Sequence, residues 1–203
     1  MGNTTTSNSK IPQLKYAHLS PQTWTALAEL PREGWKRRNV QDPESVQDHT
    51  ISLRELGFGF FDLMSFEEKN GLLDMLEIHD WPESKEGDEV TVSETEETEK
   101  ELKADKRIRE ENAMNSICKP LGEKGKVILS LWLRFEDSDD PAASFARQLD
   151  KYQAIEKALE YEEAQKIPLF HEFLSHARSR NQVTHPLLLE RLSELEKEWT
   201  DNK

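Results

Sequence analysis

Apolar residues recur at intervals of three and four along most of this chain, and that period commits it to helices packed on one another. From Ser45 to about Met64 the positions Val46, Leu53, Leu56, Phe60 and Met64 follow spacings of seven, three, four and four. Gly57 and Gly59 each cost about 1 kcal/mol relative to alanine inside a helix, so this helix is expected to bend or to end early. Ser20 and Pro21 form an N-cap and first helical position, and Leu30 and Pro31 close the helix they open. Ser65 and Glu68 make a capping-box signature ahead of Leu72, Leu76 and His79, which share a face, until Trp81 and Pro82 break the pattern. Further helices are predicted from about Glu99 to Ile117, along Val127, Leu131 and Phe135, and from Asp140 and Pro141 through Phe145, Leu149, Tyr152, Ile155 and Leu159. Leu188, Leu192, Leu195 and Trp199 define a C-terminal amphipathic helix, expected to dock on the domain or on a second subunit. Val90 to Val92 is the one strand-like stretch, too short and acidic to found a sheet. An all-α bundle of roughly seven or eight helices follows, with no internal repeat.

The 203 residues suffice for one substantial core, and the expected division is a flexible tail over 1–19 and a single domain over 20–203. A net charge of −13 repels nucleic-acid polymers, whereas a small phosphorylated molecule needs only a local positive site. Cys118 is the lone cysteine, so no internal disulfide forms; buried packing in a reducing, cytoplasmic setting is the expectation. The longest apolar run, Val127 to Leu133, falls far short of the roughly 20 residues of a membrane span, and a soluble chain is expected. Met1, Gly2 and Thr6 formally fit a myristoylation pattern, but the segment through Lys10 reads as a tail. Residues 83–101 hold nine acids and two lysines, the composition of a solvated loop or helix start.

His49 and His79 lie on inward faces of their predicted helices, Asp80 follows His79, and Asp150 projects beside an apolar stripe near Ala146 and Ala154. Two imidazoles and two carboxylates suit one divalent cation among Mn, Fe, Co, Ni, Zn and Mg, and they point to a hydrolytic metal more than to a structural zinc, which would want cysteines. His18, His171, His176 and His185 read as surface or packing residues.

The run His79, Asp80, Trp81, Pro82, Glu83, Gly87 and Asp88, preceded by His49 and followed by Asp150, resembles the HD-domain metal-dependent phosphohydrolases. Arg32, Gly34, Trp35, Arg38, Asn39 and Val40, leading into Pro43 to Val46 and Asp48, resemble the 5'-deoxynucleotidase branch, and the likeness runs over about 30–165. The resemblance implies an HD-domain helical bundle that releases phosphate from deoxyribonucleoside 5'-monophosphates. It implies that His49, His79, Asp80 and Asp150 ligate one divalent metal and that Glu83 and Asp88 orient water or handle protons. It further implies that Arg32 or Arg38 grips the phosphate, and that Trp35 packs against the sugar and disfavours a 2'-hydroxyl. Family members commonly pair, so a homodimer is a further implication. Two alternatives stay open: an HD phosphohydrolase of cyclic or triphosphate nucleotides, and a nucleotide-binding regulatory module without turnover.

Overall fold

In the computed structural model, which describes residues 10–91 and 95–202, the chain forms helices and connecting turns, with no β-strand among the described residues. The helices are α1 (Pro21–Ala28), α2 (Glu33–Lys36), α3 (Val46–Gly59), α4 (Phe66–Lys69), α5 (Leu72–Ile78), α6 (Glu83–Glu86), α7 (Glu96–Cys118), α8 (Gly122–Asp137), α9 (Pro141–Gln165), α10 (Phe170–Ser179) and α11 (Pro186–Asp201). Eight of these have seven residues or more, as the periodicity predicts. The myristoylation pattern at Met1, Gly2 and Thr6, and Val92 of the strand-like stretch, lie outside the described residues.

Local signals explain where the site-bearing helices begin. Ser45 caps α3 by a reciprocal box, its hydroxyl accepting from the Asp48 N–H at 3.0 Å while Asp48 Oδ2 accepts from the Ser45 N–H at 3.1 Å. Asp140 caps α9 by accepting the Ala143 N–H at 3.1 Å. The α3 helix does end early, at Gly59, yet Gly57 has a second reason. A Cβ there would stand 2.9 Å from Leu76 Cδ1 and 3.2 Å from Leu149 Cδ2, so its absence lets α5 and α9 close on α3.

The helix expected from Ser65 to His79 is broken in two. Gly71 adopts φ +80, a left-handed turn that separates α4 from α5. On α8 the buried face is Ile128, Trp132 and Phe135, with Val127 left 53% exposed, because α7 and α9 flank a face rotated from the expected stripe. The α10 helix has no counterpart among the expected helices.

Three groups of buried side chains hold the bundle. The largest joins Leu53, Leu76, Phe145 and Leu149 to Leu188 and Leu192, so the C-terminal helix docks on its own chain. The second gathers Ile78, Trp81, Met114, Ile128 and Trp132, with Cys118 packed at its edge as expected and its thiol pushed up to about 11 by burial. The third is a small aromatic group around Trp35, Val40, Ala158 and Leu169. At roughly 25 cal/mol per Å² of apolar area, such burial is the main drive to fold.

The N-terminal segment is seated by a buried carboxylate. Glu77, fully buried on α5, accepts the backbone N–H groups of Lys15, Tyr16 and Ala17 at 2.8, 2.5 and 2.9 Å, with Arg54 at 3.7 Å. Tyr16, within the stretch expected as tail, is 5% exposed.

Candidate metal centre

His49 comes from the first turn of α3, His79 and Asp80 from the C-terminal end of α5, and Asp150 from the middle of α9. Close packing at Gly57 brings these three helices together, and the four side chains converge. His49 Nε2 lies 3.3 Å from Asp150 Oδ1 and 3.7 Å from Asp80 Oδ2, while His79 Nε2 lies 3.1 Å from Asp80 Oδ2. His49, His79 and Asp150 form a group whose ligand atoms all stand within 4.8 Å of one another; Asp80 touches the two imidazoles beside it.

Each imidazole has one nitrogen already committed. The Leu76 carbonyl can only accept, so His79 Nδ1 donates to it at 2.9 Å, and His49 Nδ1 donates to Gln153 Oε1 at 3.0 Å. Both Nε2 atoms therefore present lone pairs, and both are buried without a hydrogen-bond partner. Such atoms are costly in a folded interior unless something electrophilic meets them. With metal–ligand bonds of about 2.1 Å, neighbouring ligand atoms on one cation stand about 3 Å apart. The observed separations suit that arrangement, and the donor set fits a divalent cation.

Acids and bases surround the group. Arg32, at the N-terminus of α2, reaches Asp80 Oδ2 at 3.2 Å and Asp88 Oδ2 at 3.9 Å. Asp88 also accepts the Glu33 N–H at 2.7 Å. Glu83 is 5% exposed; burial, with Asp80 and Asp88 adding to it, raises its pKa well above the carboxylate range. Burial opposes the charge on Asp80 too, but His79, Arg32 and His49 outweigh it and hold that carboxyl low. The two neighbouring acids are thus pushed in opposite directions, Glu83 up and Asp80 down, the kind of division that general acid–base chemistry uses.

Arg32, His79, Asp80, Glu83, Asp88 and Asp150 line one cavity of about 460 Å³, whose far wall is built by α7 and α8, while His49 is fully buried and outside that lining. Sequence reasoning missed that wall. Lys106 on α7 donates to the Glu89 carbonyl at 3.1 Å and lies 3.7 Å from Glu83, yet nothing in the charged run of α7 marks it out. Gln153 was missed as well, although its place three residues after Asp150 puts it on the same helix face. Within the acidic segment expected to be solvated, Glu99 is instead 5% exposed and paired with Lys103 and Arg180 at 2.5 Å each.

Trp35 and Arg38 stand apart from the cavity lining. The indole is 3% exposed, stacks on Phe173 at 4.8 Å, meets Tyr161 edge-on at 5.2 Å and donates to Glu44 at 3.1 Å. Arg38 pairs with Glu172 at 2.5 Å and lies over the Phe173 ring at 4.6 Å. Of the two candidate arginines, Arg32 is the one in the cavity. His185 bonds Glu68 at 2.8 Å and His171 faces Ser175 at 3.3 Å, both away from the centre.

A helical bundle that gathers two imidazoles and two carboxylates, one of each from an adjacent His-Asp pair, defines a class, and the chain belongs to the HD domain family, whose sequence pattern matches residues 25–190. Within that family it is 32% identical over 178 residues to the human 5'-deoxynucleotidase HDDC2, covering 87% of this chain and 82% of that protein. The corresponding figures are 33% over 143 residues for 5'-deoxynucleotidase HDDC2 of Dictyostelium discoideum (67% and 72%) and 30% over 141 residues for the fission-yeast 5'-deoxynucleotidase hdd1 (67% and 67%). Among solved structures, the PH0347 protein of Pyrococcus horikoshii shares the fold with a TM-score of 0.67 at 20% identity, covering 88% of this chain and 97% of that one. No helix among the described residues is long and apolar enough to cross a membrane.

Proposed function

We propose that this chain is a metal-dependent phosphomonoesterase that hydrolyses deoxyribonucleoside 5'-monophosphates to deoxynucleoside and phosphate. The observation that carries the reading is the pair of buried, unpartnered Nε2 atoms of His49 and His79 grouped with Asp150, at a polar cavity that His79 and Asp150 line. Kinship with relatives named 5'-deoxynucleotidase supports the substrate class. In this reading His49, His79, Asp80 and Asp150 hold one divalent cation. When bound, such a cation supplies Lewis-acid charge to phosphate oxygens and makes water a better nucleophile near neutral pH.

The remaining roles fall to protein groups. Arg32 offers its planar fork to the phosphate, with Asp80 and Asp88 holding it in place. Glu83, whose carboxyl burial and the neighbouring Asp80 and Asp88 push upward, supplies a proton to the departing 5'-oxygen, and Asp88 orients the attacking water. Trp35 acts at one remove: packed between Tyr161 and Phe173, it fixes the short α2 and so the direction from which Arg32 enters.

The test is phosphate release from a panel of deoxyribonucleoside and ribonucleoside 5'-monophosphates by protein loaded with Mn, Co or Mg. Expected are turnover of the deoxy series and a loss of at least a hundredfold in kcat for Glu83→Gln with bound metal retained. Metal retention without hydrolysis of any monophosphate would leave the HD fold standing and remove this activity.

A further inference from the structure

The cavity has an end that the phosphate chemistry does not use. Glu136, in the last turn of α8, faces the same space as Asp80 and Asp150, alongside Phe135, Arg107 and Glu110. Its carboxyl group has no hydrogen bond or ion pair among the described residues.

The cations nearby are engaged elsewhere. Arg107 donates to Asp137 at 2.9 Å and to Glu111 at 3.4 Å, and its guanidinium lies over the Trp132 ring at 4.4 Å. Lys106 stands between Glu110 at 3.3 Å and Glu83 at 3.7 Å. Burial, followed by the neighbouring Glu110, pushes Glu136 up to about 7, with Arg107 and His79 pulling the other way without overcoming it.

A carboxyl group held in no hydrogen bond or ion pair disfavours a phosphate dianion and rewards a neutral hydrogen-bond donor, the more so where water is partly excluded. The metal-ligand side of the cavity, with Arg32 and Lys151, is suited to the phosphate; the α7–α8 side is suited to what the phosphate is attached to.

We propose that Glu136 is a specificity-determining residue that accepts a hydrogen bond from the nucleoside part of the substrate, either a sugar hydroxyl or a base amino group. This deepens the nucleotidase reading and rests on it. The Phe135 side chain beside Glu136 offers the apolar contact that a sugar or base face requires.

The experiment compares wild-type protein with Glu136→Ala and Glu136→Gln, all Mn-loaded, on deoxycytidine and thymidine monophosphates and on 2',3'-dideoxycytidine monophosphate, with inorganic phosphate as inhibitor. Glu136→Ala should raise KM about tenfold with a smaller change in kcat, leave inhibition by inorganic phosphate unaltered, and be partly rescued in Glu136→Gln, which keeps a carbonyl acceptor in the same volume. An effect present with deoxycytidine and thymidine monophosphates but lost with the dideoxy substrate assigns the donor to the sugar; an effect shared by both cytosine nucleotides and absent with thymidine monophosphate assigns it to the base amine. Unchanged KM for every nucleotide, or phosphate inhibition weakened in step with KM, would overturn the proposal. Should Glu136→Ala fail to fold, Glu136→Met takes its place. If the wild type releases no phosphate at all, the nucleotidase reading fails by itself, and calorimetric binding of deoxycytidine decides on Glu136: weaker binding in the variant supports it, and equal or undetectable binding in both removes it.

Discussion

The two histidines work because another residue has fixed each ring. Gln153 and the Leu76 carbonyl hold the Nδ1–H groups, so Nε2 is the nitrogen turned to the neighbouring carboxylates in both cases. Of these supports, the glutamine can be removed without touching the backbone. Gln153→Leu should weaken divalent-metal binding by 10–100-fold while the fold persists, read by metal titration alongside circular dichroism. Unaltered affinity would mean that helix packing alone orients His49. The sequence showed His49 and His79 as inward-facing residues on helical stripes. It did not show which nitrogen each would present, because that depends on partners 3 residues away in one case and 104 in the other.

At the level of the helices, turn chemistry is where local signals were most readable. Ser45, Ser65 and Asp140 all cap helices by accepting an N–H three residues on. Asp140 bears extra weight, since it starts the helix that carries Asp150 and also takes a two-pronged contact from Arg134 at 2.7 and 2.8 Å. Asp140→Ala should cost about 1–2 kcal/mol in chemical denaturation at neutral pH. The Arg134 contact, with help from Ser138 and Ala143, holds the folded-state pKa of Asp140 below its ordinary value of 3.8. Its contribution is therefore complete above that value and fades as pH falls through the lower folded pKa, so the gap between variant and wild type should narrow in strong acid. A gap that widened on acidification would contradict the assignment. Gly71 was harder to read: a glycine inside a helical stripe signals either a tolerated weakness or a break, and here a left-handed turn made it the break. The rotated face of α8 has a similar origin, because a stripe drawn on Val127, Leu131 and Phe135 sits within one residue of the buried one on Ile128, Trp132 and Phe135.

For the molecule as a whole, the centre couples binding to folding. Three helices distant in sequence meet at the metal-ligand group, so a cation that binds only the folded chain adds RT ln(1 + [L]/Kd), about 2.7 kcal/mol at a hundred times Kd. Thermal unfolding should therefore shift upward with Mn or Co, return to its starting point with a chelator, and respond little in Asp150→Asn. An equal shift in that variant would place the stabilising cation elsewhere. The chain's own periodicity determined that it is helical, where most helices begin, and which imidazoles and carboxylates face inward, because those properties depend on neighbours within a turn or two. Tertiary packing alone decided that Arg32 rather than Arg38 enters the cavity, that Trp35 is sealed in an aromatic group, that Glu77 anchors the N-terminal segment, and that α7 and α8 supply a wall ending in Glu136. Each of those outcomes turns on contacts between residues far apart along the chain, whose energies no local pattern encodes.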